Sequence, residues 1–152
     1  LIGLALWLVR YDVARRTVLT QGLPRYIAAC LLTGYGWMGV SGLLFLGYGL
    51  QVGGPVYDAA LHALFVGFVM AMIFGHAPII FPSVLNLPIS YRPVFYSHLI
   101  LLHLSLLVRL IGDLGGGPVL LRQWGGLLNA VSILLFLINT AYAVIAGQKS
   151  LG

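Results

Sequence analysis

Four apolar stretches run through this chain, each about as long as the ~20 residues a helix needs to cross bilayer hydrocarbon, broken only by short polar connectors. At membrane depth no water is present to satisfy backbone N–H and C=O groups. Each stretch must therefore pair its own backbone, which makes it a helix. The pattern predicts spans over about Tyr26–Leu50, Tyr57–Phe81, Pro93–Gly112 and Trp124–Ala146, with Leu1–Val9 as the end of an earlier helix. The expected fold is all-α: one polytopic transmembrane helix bundle over residues 1–152, with four complete spans plus the end of a preceding span. The opening LIGLALWLVR has no basic n-region and no small-residue cleavage site, so it reads as the tail of a helix and not as a signal peptide. On that reading the chain is a fragment of a longer protein and lacks N-terminal helices.

Composition supports this reading. The chain is 61% hydrophobic and only 7% charged, whereas a soluble domain carries about 25% charged residues. The single cysteine, Cys30, excludes a disulfide framework or a cysteine-only metal site and reads as an inert buried thiol. The net charge of +5 is not gathered into a dense basic tract, so nucleic acid is not an expected partner. The basic residues instead set topology. With alternating spans, Arg10, Arg15, Arg16, Arg25, Arg92 and Lys149 all fall on one side, and Arg109 and Arg122 toward the other. The positive-inside rule makes the first side cytoplasmic. The expected location is the inner membrane of a prokaryotic cell, with basic loops and C-terminus inside.

Turn and cap residues mark the boundaries. Arg10–Arg25 is a basic connector that includes a short interfacial helix. Pro24 opens the second helix and the turn residues of QVGGP close it. In the third helix Asp58 suits the positive N-terminal dipole, Pro78 loosens the helix and Pro82 ends it. Pro93 suits the first turn of the fourth helix, and DLGGGPVLLRQ forms a loop before the fifth.

Four histidines, His62, His76, His98 and His103, stand in segments almost free of acidic and basic side chains. An ionisable group at membrane depth is costly and marks a functional site. A neutral imidazole there commonly ligates a metal or a haem iron. His62 and His76 are fourteen residues apart, about 21 Å of rise and about 40° short of whole turns in a regular α-helix, so they share a face and address two depths. His98 and His103 diverge by about 140° on the next helix. Antiparallel packing brings His76 and His98 to similar depth, which makes them the candidate bis-histidine pair. His62 has no histidine at its own depth.

The other polar residues carry simpler readings. Gly67, Ala71 and Gly75 form a small-residue ridge suited to close helix packing or to a flat macrocycle. Gly34, Gly36, Gly39 and Gly42 offer a similar surface. Asn129, Asn139 and Thr140 read as interhelical hydrogen-bonding groups. Trp7, Trp124 and Tyr26 fall near interfaces, and Trp37 is mid-span. Arg109 either pairs with Asp113 or a haem propionate or snorkels.

The third span reads HALFVGFVMAMIFGHAPIIFP. It resembles the histidine-bearing helix of the heme-copper oxidase subunit I superfamily, particularly its C-family and small subunit I-like relatives. There a frame H-x-H-x-x-x-x-G-[WF], followed by I-x-G and a terminal proline, carries haem ligands. His62, Gly67, Phe68, Ile73, Gly75 and Pro82 fit that frame. The NnrS family of haem- and copper-containing membrane proteins is similar in its histidine-plus-glycine helices. The resemblance implies that His62 ligates a low-spin haem. Ala60 replaces the first histidine of the frame, the position implied for a high-spin haem beside copper, so no complete oxygen- or nitric-oxide-reducing centre is expected. His76 lies outside the frame.

The resulting expectation is a membrane protein or subunit with haem b, used for electron transfer or haem-linked sensing. Cofactor contacts are expected from His62, His76, His98, His103 and Arg109, and metal ligation from His62, His76 and His98; copper is left open. The expected partners are the lipid bilayer and other membrane subunits or the missing helices. Catalysis is also left open, and the implied standing is that of a non-catalytic subunit of an oxidoreductase complex. The competing reading is a structural subunit packed in a larger respiratory or photosynthetic complex. A small-solute transporter is disfavoured because paired broken helices and buried carboxylates are lacking.

Overall fold

The computed structural model describes residues 1–49, 52–86, 90–116 and 118–149. Leu50 and Gln51, residues 87–89, Gly117 and Ser150–Gly152 lie outside the described residues, so the expected end of the second helix at Leu50 and part of the glycine-rich loop fall there. The elements are α1 (Ile2–Tyr11), α2 (Ala14–Thr17), α3 (Leu23–Tyr48), α4 (Pro55–His62), a π-helical turn over Ala63–Val69, α5 (Met70–Leu85), α6 (Phe95–Leu114) and α7 (Val119–Lys149). No strand occurs among the described residues. Four rods are long and apolar enough to cross a membrane: Leu23–Tyr48, Pro55–Val84, Phe95–Leu114 and Val119–Gln148. The fold is an all-α helix bundle with these four candidate spans.

The rod that starts at Pro55 is central. It packs against α3 on one side and α6 on the other, while α7 pairs mainly with α6, and α1 and α2 lie on α3. Its small residues make the approach possible. A Cβ on Gly67 would sit 2.4 Å from the Trp37 ring, and one on Gly75 would sit 3.0 Å from Cys30 Cβ. The Gly67, Ala71 and Gly75 ridge is therefore a seat for α3 and offers no room for a macrocycle. Where α6 and α7 cross, a Cβ on Gly125 would lie 2.7 Å from the Arg109 backbone. Only 28% of the most apolar part of α7 is buried. The remainder is apolar surface suited to lipid.

Two features depart from the expected elements. The central rod runs through Pro78 and Pro82 and stops at Leu85, where Asn86 turns left-handed with φ 52°. Each proline removes one N–H without breaking an apolar helix, since only single carbonyls lose a partner. Also, α7 starts at Val119, directly after Pro118, within what reads as loop.

The π turn matters more. Its wider i→i+5 ladder accommodates an extra residue within the rod, and one extra residue turns all that follows by about 100°. The fourteen-residue interval from His62 to His76 no longer ends on the same face. The two imidazoles point in different directions.

Candidate functional site

Each imidazole is read most directly by where its two ring nitrogens go. A backbone carbonyl only accepts, so a ring nitrogen facing one carries the proton. In a neutral ring the other nitrogen then holds a free lone pair.

His62 and His76 share one arrangement. His62 Nδ1–H donates to the Asp58 carbonyl at 2.8 Å, and His76 Nδ1–H donates to the Met72 carbonyl at 2.7 Å. Each acceptor is the residue four positions earlier on the same rod. Both rings are thus held in the Nδ1–H tautomer with Nε2 open, and no hydrogen-bond partner meets either Nε2 among the described residues. A ligating histidine needs this arrangement: its second nitrogen is anchored and its basic nitrogen is presented. His76 is exposed and walls a shallow apolar cavity of about 300 Å³ with Met72, Ile73, Ala77, Ile80 and Phe81.

His98 and His103 are arranged differently. His98 is 1% exposed. Its Nε2 lies 2.8 Å from Tyr26 Oη, and its Nδ1 lies 3.1 Å from the Asn139 amide nitrogen. With the amide donating to Nδ1, Nε2–H donates to the phenol oxygen. The Phe74, Phe95 and Phe136 rings surround it, Phe74 edge-on at 4.8 Å between centroids. His103 Nδ1 accepts from Trp37 Nε1–H at 2.9 Å, and its Nε2–H donates to Thr33 Oγ1 at 3.0 Å. The Thr33 hydroxyl in turn donates to the Ala29 carbonyl. Neither ring has a lone pair to spare, so both join helices.

The structure does not bring His76 and His98 together within this chain. The α5 residue that meets His98 is Phe74; His76, two residues on and about 200° round the helix, faces outward. Equal depth made the pair plausible, but depth says nothing about the angle around the helix.

Arg109 is also committed. Its Nε donates to Asp113 Oδ2 at 3.0 Å, its Nη2 to Asp58 Oδ2 at 3.0 Å and its Nη1 to the Arg122 carbonyl at 3.2 Å. The expected Asp113 pairing is formed, and neither snorkelling nor a free propionate anchor describes the side chain. The Asp113 side chain is 0% exposed, a buried carboxylate where none was expected, and Arg122 Nε lies 3.1 Å from its Oδ1 while donating to the Gly112 carbonyl. Carboxylate oxygens of Asp58 and Asp113 and a ring nitrogen of His62 lie within 4.8 Å of one another. In this cluster two aspartates and two arginines sum to zero charge. It fastens α4, α6 and α7 at one end of the bundle.

Several partners were not visible in the sequence. Tyr26, expected in an interfacial belt, is 0% exposed beside His98. Trp37 stands mid-span because it donates to His103. The interhelical role expected for the asparagines is seen at Asn139 and at Asn129, whose Oδ1 accepts from Ser105 Oγ at 2.5 Å. A family model described as a domain of unknown function (DUF8744) matches residues 1–145. No curated protein and no solved structure matches the chain.

Proposed function

The chain belongs to the DUF8744 family, and from that premise we propose that it is an integral membrane subunit carrying haem b for electron transfer or haem-linked sensing, with His62 and His76 each giving one ligand to a haem at its own depth. The observation that carries the reading is the shared arrangement of these two rings, Nδ1–H anchored on the carbonyl four residues back and Nε2 open. At His76, which stands among Met72, Ile73, Ile80 and Phe81, an unsatisfied imidazole nitrogen is costly, which argues for a ligand. Haem held by these imidazoles would supply one-electron transfer at the site. The residues here fix the tautomer of each ring, make its Nε2 more basic through the carbonyl bond, and supply apolar walls at Ile73, Ile80 and Phe81. Further ligands would come from neighbouring membrane subunits or from helices outside this chain. Copper is not part of the proposal, because the open histidines stand apart. The membrane is a prokaryotic inner membrane, with Arg10–Arg25 and Arg92 on the cytoplasmic side.

The test is an absorption and pyridine-haemochrome spectrum of protein purified from haem-replete membranes. The expected result is a low-spin b-type spectrum that loses part of its intensity in His62→Ala and in His76→Ala, and all of it in the double variant. His98→Leu and His103→Leu should keep the spectrum wherever the protein still folds. The saturated rings of His98 and His103 favour a second reading, a non-catalytic structural subunit in a larger respiratory or photosynthetic complex. Absence of a Soret band, with assembly of the complex intact in the double variant, selects that reading.

A further inference from the structure

The connector between α1 and α3 holds a feature that the haem reading does not use. Asp12 pins it. One carboxylate oxygen accepts from the Ala14 N–H at 2.7 Å and the other from the Tyr35 hydroxyl at 2.8 Å. Ala14 is thereby buried against α3 and the chain folds back on itself. The turn so formed borders an open cavity of about 530 Å³ lined by Arg10, Tyr11, Asp12, Val13, Arg15 and Arg16. Arg15 Nη1 donates to the Arg10 carbonyl, and the Arg10 guanidinium lies 5.5 Å from the Tyr11 ring centroid.

Charge in this cavity is unbalanced. Three guanidinium groups face one carboxylate, a net of +2, and that carboxylate already accepts two hydrogen bonds. The only other acidic residues of the chain, Asp58 and Asp113, are tied to Arg109 and Arg122. Among the described residues, no ion pair reaches Arg10, Arg15 or Arg16.

Val13, 70% exposed, walls this cavity and a second one. The second has a volume of about 360 Å³, and Val13, Ala14, Leu23, Ile27, Leu31 and Ile79 are among its lining residues. It descends along α3 from its first turn, Leu23, to Leu31, into the depth of the span. A basic cavity and an apolar groove thus meet at Val13.

We propose that this pair of cavities is a binding site for an anionic phospholipid, its phosphate held by Arg10, Arg15 and Arg16 and an acyl chain laid along the groove beside Ile27, Leu31 and Ile79. Phosphate matches the guanidinium fork in charge and geometry. Basic pockets beside membrane helices select anionic headgroups by this chemistry. A free phosphate would use only the first cavity, and nucleic acid would have no use for the second.

Native mass spectrometry of the full chain, released from micelles doped with phosphatidylglycerol or phosphatidylcholine, tests the assignment. The expected result is retention of phosphatidylglycerol over phosphatidylcholine. Arg10→Gln, Arg15→Gln and Arg16→Gln together should reduce it by about ten-fold or more. Thr17 also lines the groove, so Thr17→Trp, which fills it and keeps every charge, should reduce retention as well. The control pair Arg25→Gln with Arg92→Gln removes charge outside the cavity and should leave retention unchanged. Glycerol 3-phosphate, the headgroup without chains, should compete poorly. Equal retention of both lipids, or retention unaffected by the triple arginine change in protein with an unaltered helical circular dichroism spectrum, overturns the proposal. Loss in the arginine variant but not in Thr17→Trp, with effective competition by glycerol 3-phosphate, replaces the lipid with a small anion and overturns it as well.

Discussion

Side-chain nitrogens and oxygens separate residues that look alike in the sequence. His98 joins Tyr26 and Asn139, so His98→Ala both opens a cavity and leaves the buried Tyr26 hydroxyl without its imidazole partner. The expected cost is about 2–4 kcal/mol, measured as loss of the α-helical signal on heating in detergent. His76→Ala removes a ring bonded only to its own helix and should change stability by about 0.5 kcal/mol or less in haem-free protein. The aspartates divide in the same way. Asp113 is fully buried between two arginines, and Asp113→Asn leaves their charges unbalanced at an expected cost of about 3–5 kcal/mol. The Asp58 side chain is 52% exposed, so Asp58→Asn should cost about 1 kcal/mol or less in the same assay. Equal costs for the two aspartates would contradict the assignment of Asp113 as the fastener of α6 to α7.

Among the elements, the central rod carries the most information and was the least legible in the sequence. Its apolar length announced a span, and Gly67, Ala71 and Gly75 announced a close contact. The π turn left no comparable mark, because Ala63–Val69 has the composition of any membrane helix. That turn moved His76 off the face of His62, and no count of residues along a regular helix reveals it. The prolines misled in the opposite direction. Turn chemistry that ends a helix in water is outweighed where an unwound backbone would meet hydrocarbon. Gly67→Ala tests the packing of this rod directly. The new methyl would overlap Trp37 and Leu106 Cδ2, at an expected cost of about 1–3 kcal/mol in thermal unfolding. Stability equal to that of the unaltered chain would show that Trp37 does not sit in the Gly67 notch.

At the scale of the molecule, polar groups concentrate in separate places. One end is fastened by Asp58, Arg109, Asp113 and Arg122, while Arg10, Arg15 and Arg16 form a basic turn on the connector after α1. His98 and His103 join helices within the bundle, and His62 and His76 keep an open Nε2. Spans and basic connectors were legible because hydropathy and charge act on whole segments. The roles of the four histidines were not, since they depend on angles around helices and on partners from three other rods. Haem binding by this chain depends on the open Nε2 atoms of His62 and His76 being ligands. The most direct measurement is low-temperature electron paramagnetic resonance of the oxidised protein, purified in native membrane assemblies, beside the His62→Ala/His76→Ala double variant. The account predicts low-spin ferric haem signals in the unaltered protein and none assignable to this subunit in the double variant. Identical spectra from the two proteins would contradict it.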